Sequence, residues 1–420
     1  LRYPRGVALH KNEERCNRDQ RSDELSNVGP ALSRVNLYLG GFLDETAQRT
    51  IPAMTPREWN RRVKALARQA GFDRCGVAAA KSIERAQYLR VWLDAGRAGS
   101  MRYLHRYFEQ RSDPRALLEG ARSVIVVAQS YHQHPPEAAK AGESKDDLCR
   151  TPSGEGKDDL CRTPSGKGKD DLCRTSSGEG KDDLCHTWPR GRVAMYAWGE
   201  DYHHIIKSRL HAMADAVRDA CGEMIATKVC VDTAPLLERE FAAAAGIGWI
   251  GKNTLVVNQQ LGSYFFLGAI VTTLEIEPDA PVPDRCGTCT RCLHACPSGA
   301  FTAPYQMDAS RCVSYLTIEH REPIPGEFHA AIDDWVFGCD VCQQVCPYNQ
   351  SAPMTREPRL AVRPPGPNPV LQDMLAWSID DYRRILAGSA MKRATLEMLR
   401  RNARIAQENA RRRAGEQDLM

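Results

Sequence analysis

Cys286-Gly-Thr-Cys289-Thr-Arg-Cys292-Leu-His-Ala-Cys296-Pro297 sets four thiols at spacings of two, two and three residues and closes on a proline. Three thiols on one tight loop suit three corners of an iron–sulfur cube, and in the bacterial ferredoxin run of this spacing the fourth crosses to a second cluster. Further on, Cys339-x-x-Cys342-x-x-x-Cys346-Pro347 repeats the pattern in shortened form, with Cys312 alone in between. Eight thiolates balance two four-thiolate clusters. The crossing rule assigns Cys286, Cys289, Cys292 and Cys346 to one [4Fe-4S] cluster and Cys296, Cys312, Cys339 and Cys342 to the other. Paired zinc sites are the alternative, but zinc usually takes paired knuckles rather than three ligands on one loop.

Outward from this module, Pro278, Pro281 and Pro283 mark a boundary at about residue 280. The module is therefore expected to span 281–355, with a linker and basic helices over 356–420. A cluster pair relays electrons without transforming an organic substrate itself, so the larger part of the 420 residues is expected to bind the acceptor. That part, 55–280, reads as a mixed body of helices and strands. Trp59, Val63 and Leu66 share one face of a helix that Gly71 can close; Ser123–Ala128 is a buried strand; Ile206, Leu210, Met213 and Val217 line a second helix. Thr227–Val231 reads as a strand ending at Asp232, and Pro235 as the first turn of a helix reaching Gly246. Thr254–Asn258 and Ser263–Glu275 read as two strands joined by a short turn.

Two segments stand apart. Residues 1–54 are polar and aperiodic and are expected to be a poorly ordered extension. Within 137–189 a twelve-residue unit, KDDLCRTPSGEG, recurs from Lys145, Lys157, Lys169 and Lys181 with small drifts. Each unit holds one leucine and no aromatic residue, too little apolar area to offset chain entropy, so a low-complexity insertion is expected.

Composition excludes several classes. Sixteen cysteines favour metal or redox chemistry over a disulfide framework, and a net charge of +4 is too mild to announce nucleic-acid binding alone. The apolar stretches 241–250 and 264–271 fall short of the ~20 residues of a membrane helix, and no leader pattern is evident, so a cytoplasmic protein without membrane contact is expected. There is no G-x-G-x-x-G after a strand and no phosphate-binding G-x-x-x-x-G-K-[ST] loop. The glycines of Gly246-Ile-Gly-Trp-Ile-Gly-Lys-Asn253 are expected to let backbone approach a planar ligand. Asp232, at the carboxyl end of a strand, stands where open parallel sheets place chemistry, or simply caps the next helix. His203 and His204 read as packing or hydrogen-bonding histidines rather than ligands.

The motifs RVAMYAWGEDYHH, VCVDTAPLLEREFAAAAGIGWIGKNTLVVN, GSYFFLGAIVTTLE, RCVSYLTIEH, GCDVCQQVCPYN and GSAMKRATLEMLRRNA, with the cysteine pattern, resemble the epoxyqueuosine reductases of tRNA queuosine synthesis over about residues 55–407. The resemblance implies an α+β fold: a nitroreductase-like domain holding base-off cobalamin, then the two-[4Fe-4S] ferredoxin domain and a short C-terminal helical segment. It implies that electrons pass through the clusters to give cob(I)alamin, which attacks the epoxide, with Asp232 as proton donor. For that role burial beside the corrin is expected to raise the Asp232 pKa. Cobalamin neighbours carried over are Arg111, Met195, Asp232, Lys252, Asn253, Thr254 and Ser314; Met195 stands where other members have cysteine. His320 is placed near substrate or RNA.

Implied partners are tRNA, through an anticodon stem-loop carrying epoxyqueuosine, and an electron donor such as a flavodoxin or ferredoxin system, with a monomer expected. Between Arg383 and Arg413 ten Lys or Arg face two Glu, a helical segment suited to phosphates with Leu396, Leu399 and Ile405 packed inward. The competing readings are a cobalamin-dependent reductive dehalogenase and a non-catalytic iron–sulfur electron carrier.

Overall fold

The computed structural model describes residues 54–134, 188–222 and 224–417. The expected N-terminal extension and the twelve-residue repeat lie outside them. From Ala53 onward the chain forms one compact unit.

Its frame is a four-stranded antiparallel sheet, β1 (Arg74–Ala79), β2 (Ser123–Ser130), β3 (Thr227–Cys230) and β4 (Phe265–Thr272), in the order β1-β2-β4-β3. The unbroken apolar run of β2 is explained by burial on both faces. Ile125 and Val127 enter one core, while Val124, Val126 and Ala128 enter another. β4 alternates likewise, Phe266 and Ile270 against Phe265, Ala269 and Val271. The first core is closed by the helices Pro56–Gln69 and Tyr202–Cys221. Thr55 caps the former through a reciprocal box with Glu58, and Trp59, Val63 and Leu66 are buried as their spacing requires. The second core is closed by the helix Glu238–Ala244, which packs so tightly on β1 that a Cβ on Gly76 would lie 2.0 Å from the Ala245 carbonyl oxygen.

Three expectations are corrected. The helix after Asp232 starts at Glu238 rather than Pro235, leaving 231–237 as a loop. Val256–Val257 pairs with Trp249–Ile250, not with β4, and the Gly248 Cβ position lies 2.3 Å from the Val257 carbonyl oxygen. Gly248 therefore serves this hairpin's close approach. The sheet is antiparallel, so the parallel-sheet rule that drew attention to Asp232 does not apply to it.

The cysteine-bearing segment is built of short elements, among them the helices Arg291–His294, Val313–Ile318 and Val341–Gln344. It shares a third core, Val313, Leu316, Ile332 and Trp335, with Ile405 of the C-terminal helix Leu396–Gln417. That helix buries Leu396, Leu399 and Ile405, as expected. Three of its arginines bind partners within the protein. Arg401 donates to the carbonyls of Leu316, His320 and Glu322, Arg400 to that of Trp377, and Arg413 pairs with Asp333. Arg383, Arg384 and Arg393 also hold acidic partners, Asp380, Asp381 and Glu319. No helix of the described residues is long and apolar enough to cross a membrane.

Candidate functional site

The eight thiols fall into two neighbourhoods. Burial raises the Cys292 thiol, and Cys286, Cys346 and Cys289 raise it further; Cys346 in turn feels Cys286 and Cys289. Burial holds the Cys342 thiol well above its ordinary range, followed by Cys312, Cys339 and Cys296. Cys339 is pushed up to about 12, again by burial and then mainly by Cys312. A thiol pressed upward by buried like neighbours is a poor free acid, and binding to a metal centre deprotonates it. The surroundings fit thiolates. Ala300 N–H lies 3.3 Å from Cys296 Sγ and Trp249 Nε1–H 3.5 Å from Cys286 Sγ. Backbone N–H groups also reach Cys312 from Ser314 and Tyr315, Cys339 from Val341, and Cys346 from Tyr348 and Asn349. Among the described residues no three or more His, Cys, Asp or Glu gather closely enough for a single ion.

The second arrangement centres on Asp232. It lies two residues beyond the end of edge strand β3 and adopts φ +46, a left-handed conformation rare for a residue with a side chain and common at functional sites. Its backbone N–H donates to Glu238 Oε1 at 2.7 Å. Its Oδ2 lies 3.1 Å from His203 Nε2, while His203 Nδ1 lies 2.7 Å from Asp201 Oδ1. The helix Tyr202–Cys221 sets this imidazole: Asp201 is its N-cap, accepting the His203 N–H, and the Tyr202 ring stacks between His203 and Phe266. His203 is thus a hydrogen-bonding histidine, a bridge between two carboxylates.

Charge follows from that geometry. Burial works against a proton on His203, but Asp201 and Asp232 outweigh it and push the imidazole up to about 9. Burial also pushes the Asp232 carboxyl up, yet the His203 hydrogen bond and charge, with help from Tyr202 and Arg393, leave it below the usual range. The raising expected of Asp232 belongs to burial beside the corrin; with its side chain 59 % exposed, the imidazolium holds it anionic. Glu238 is the carboxyl that burial, and then the Asp232 charge, lift to about 8.

Of the other residues carried over, Arg111 joins Asp232. Its guanidinium is buried, its Nε has no partner, and Asp232, Glu238 and Tyr103 face it. A buried unpaired donor is costly, and a ligand covering the loop would relieve it. Tyr103 and Arg393, the latter on Glu319 at 2.8 and 2.9 Å, complete the rim. Thr254, at φ +64, accepts Arg239 Nη1–H on its carbonyl at 2.8 Å. Arg239 lines a cleft of about 100 Å³ with Tyr131, Leu255, Ser263 and Gln343. A cleft of this size takes a side arm of a large ligand, not a macrocycle.

The remainder sit elsewhere. Met195 is buried, its Sδ accepting the Gln133 N–H at 3.3 Å and its own N–H bound to Asp340. Asn253 turns its side chain onto the Leu255 N–H. Lys252 reaches the cysteine segment, its Nζ donating to the carbonyls of Gly287 at 2.6 Å and Cys289 at 3.0 Å. Ser314 is in the first turn after Cys312, and His320 Nε2 lies 3.2 Å from the Pro323 carbonyl oxygen. Sequence reading missed Tyr103, Glu238, Arg239, Glu319 and Arg393; only Glu238 and Arg239 carried a signal, with Glu240 the three charges that begin an otherwise apolar helix.

Comparison with known proteins gives these sites a family. Residues 285–349 match a 4Fe-4S double cluster binding domain, and residues 177–233 match the family described as epoxyqueuosine reductase QueG, DUF1730. The epoxyqueuosine reductase of Xanthomonas campestris is 35% identical over 365 residues, 87% of this chain and 90% of that protein. That of Leadbetterella byssophila is 33% identical over 84% of this chain and 99% of its own length. Among solved structures, an epoxyqueuosine reductase bound to an epoxyqueuosine-modified tRNA-Tyr stem loop superposes with a TM-score of 0.66 at 28% identity, covering 83% of this chain and 80% of that one. The Bacillus subtilis enzyme, solved with its catalytic aspartate loop swung out of the active site, gives 0.66 at 27%, covering 83% and 81%. The chain belongs to the epoxyqueuosine reductase family.

Proposed function

We propose that this protein reduces epoxyqueuosine to queuosine in a tRNA anticodon loop, using two [4Fe-4S] clusters and cobalamin. The observation that carries the reading is the coincidence, in one compact unit, of two four-thiol neighbourhoods with an exposed, strained aspartate loop, in a chain matching family enzymes over most of its length. Cys286, Cys289, Cys292 and Cys346 hold one cluster, and Cys296, Cys312, Cys339 and Cys342 the other. When bound, the clusters supply single electrons and cobalamin a strongly nucleophilic cobalt able to open an epoxide. The orphaned Arg111 Nε and the open rim fit a large polar cofactor there, in a nitroreductase-like domain. The chain's own part is to orient the base and deliver a proton. Asp232 stands at the rim as the donor to the opening oxygen, and His203 behind it, clamped by Asp201, stores that proton at neutral pH. The acidic pair thus works as a relay whose charge sits on the imidazole.

The test is anaerobic. The full chain is reconstituted with iron, sulfide and cobalamin, reduced, and given epoxyqueuosine-containing tRNA, whose nucleosides are followed by mass spectrometry. Conversion that requires added cobalamin is expected, with Asp232→Asn losing ~10²–10⁴-fold in rate while keeping cluster and corrin content. A fully active Asp232→Asn, or conversion without cobalamin, overturns the corresponding assignment.

A further inference from the structure

We infer that Trp249 and Lys252 form a donor clamp that sets the reduction potential of the first cluster. The inference rests on the reading that Cys286, Cys289, Cys292 and Cys346 hold a [4Fe-4S] cluster. The clamp comes from outside the cysteine segment, from the Trp249–Ile250 and Val256–Val257 hairpin. Trp249 is only 4 % exposed, and its Nε1–H points at Cys286 Sγ at 3.5 Å. Its ring meets Tyr348 edge-on at 4.9 Å, two residues beyond Cys346, and the Tyr348 hydroxyl donates to the Arg285 carbonyl at 2.9 Å. Three residues on, Lys252 Nζ donates to the Gly287 and Cys289 carbonyls, placing a positive charge against the same loop. The Lys252 carbonyl accepts the Tyr305 N–H at 3.0 Å, and Tyr305 in turn holds Asp284, whose Oδ1 takes the Cys286 N–H at 2.7 Å.

Reduction adds one electron, taken from a low-potential one-electron carrier, to a centre whose charge spreads onto its sulfurs. A donor on Cys286 Sγ and a cation beside the loop both favour the more negative state. Hydrogen bonds to the sulfurs are among the main settings of cluster potential. With both present the first cluster accepts an electron at a higher potential than its thiolates alone would allow.

Trp249→Phe keeps the ring against Tyr348 and removes the N–H; Lys252→Gln removes the charge and keeps a donor. The full chain is reconstituted with iron and sulfide and titrated reductively, each cluster followed by electron paramagnetic resonance. In the wild type the Fe–S stretching bands seen by resonance Raman should shift on exchange into D₂O, and part of that shift should vanish in Trp249→Phe. Each variant should move one of the two midpoints to more negative values and leave the other in place. Unchanged midpoints in both variants, or an equal movement of both clusters, overturns the clamp. If Trp249→Phe does not assemble clusters, Lys252→Gln and the wild-type deuterium shift decide. A wild type that binds iron without four-iron signals refutes instead the reading on which the clamp rests.

Discussion

Replacing Asp232 by Asn should pull the His203 imidazole back towards neutral titration. Its pKa is raised from the ordinary 6.5 to about 9, a change worth about 3 kcal/mol. Burial opposes that rise, so the two carboxylates supply all of it. They do not share it equally: Asp201 is 22 % exposed and 2.7 Å away, Asp232 is 59 % exposed and 3.1 Å away. Discounting the more exposed partner for solvent screening leaves Asp232 about 1 kcal/mol, a fall of somewhat under one pH unit. The sign for stability follows from the raised value. A proton bound more tightly in the folded state stabilises fully below pH 6.5, and that contribution is lost as pH rises through about 9. Histidine-selective NMR of the full chain, with His203→Gln identifying the signal, reads the midpoint directly. A wild-type His203 titrating near 6.5, or a midpoint unmoved in Asp232→Asn, refutes the relay.

Other perturbations separate the remaining claims. Cys346→Ser and Cys312→Ser should each lower iron from about eight to about four atoms per chain, with loss of a different paramagnetic signal; loss of all iron in either would deny that the sets assemble independently. Gly76→Ala forces a Cβ to within 2.0 Å of the Ala245 carbonyl oxygen, overpacking that should cost about 1–3 kcal/mol and lower the melting temperature; an unchanged melt would contradict that packing. Deleting residues 143–186 should leave iron content and turnover unchanged, and a loss of iron would give the repeat's four cysteines a role.

Elements whose pattern is local were legible in the sequence. The helix faces around Trp59 and Ile206 and the two-sided burial of β2 are written in periods of 3.6 and in an unbroken apolar run. The cysteine spacing is local too, since one loop supplies three thiols. Pairing across distance was not legible. Val256–Val257 finds Trp249–Ile250 because Gly248 permits the approach, a fact of three dimensions that the apolar run alone does not state. The Lys252 contacts were hidden for the same reason: its motif is adjacent to the Asp232 helix in sequence, while its side chain crosses to the Cys286 loop. Nor does charge composition reveal which guanidinium groups of the C-terminal helix bind carbonyls within the protein, as those of Arg400 and Arg401 do.

The Asp232 environment shows most clearly what a lone motif residue leaves unsaid. A buried aspartate would keep its proton by desolvation and give it up once. Here the aspartate is open, its backbone held at φ +46 and its N–H tied to Glu238, so the loop is aimed rather than hidden. In the relay we propose, its proton comes from an imidazole twenty-nine residues earlier in the chain, fixed by helix capping at one nitrogen and by ring stacking on Tyr202. A relay of this kind would be recharged from solvent after each delivery, because the exposed member faces the rim while the enclosed member holds the charge. Covering the rim with a large ligand would remove the water that screens Asp232 and strengthen its attraction to His203. Orientation and proton supply would then tighten in the same step that excludes solvent, and this links the open geometry of the aspartate loop to acid delivery at neutral pH.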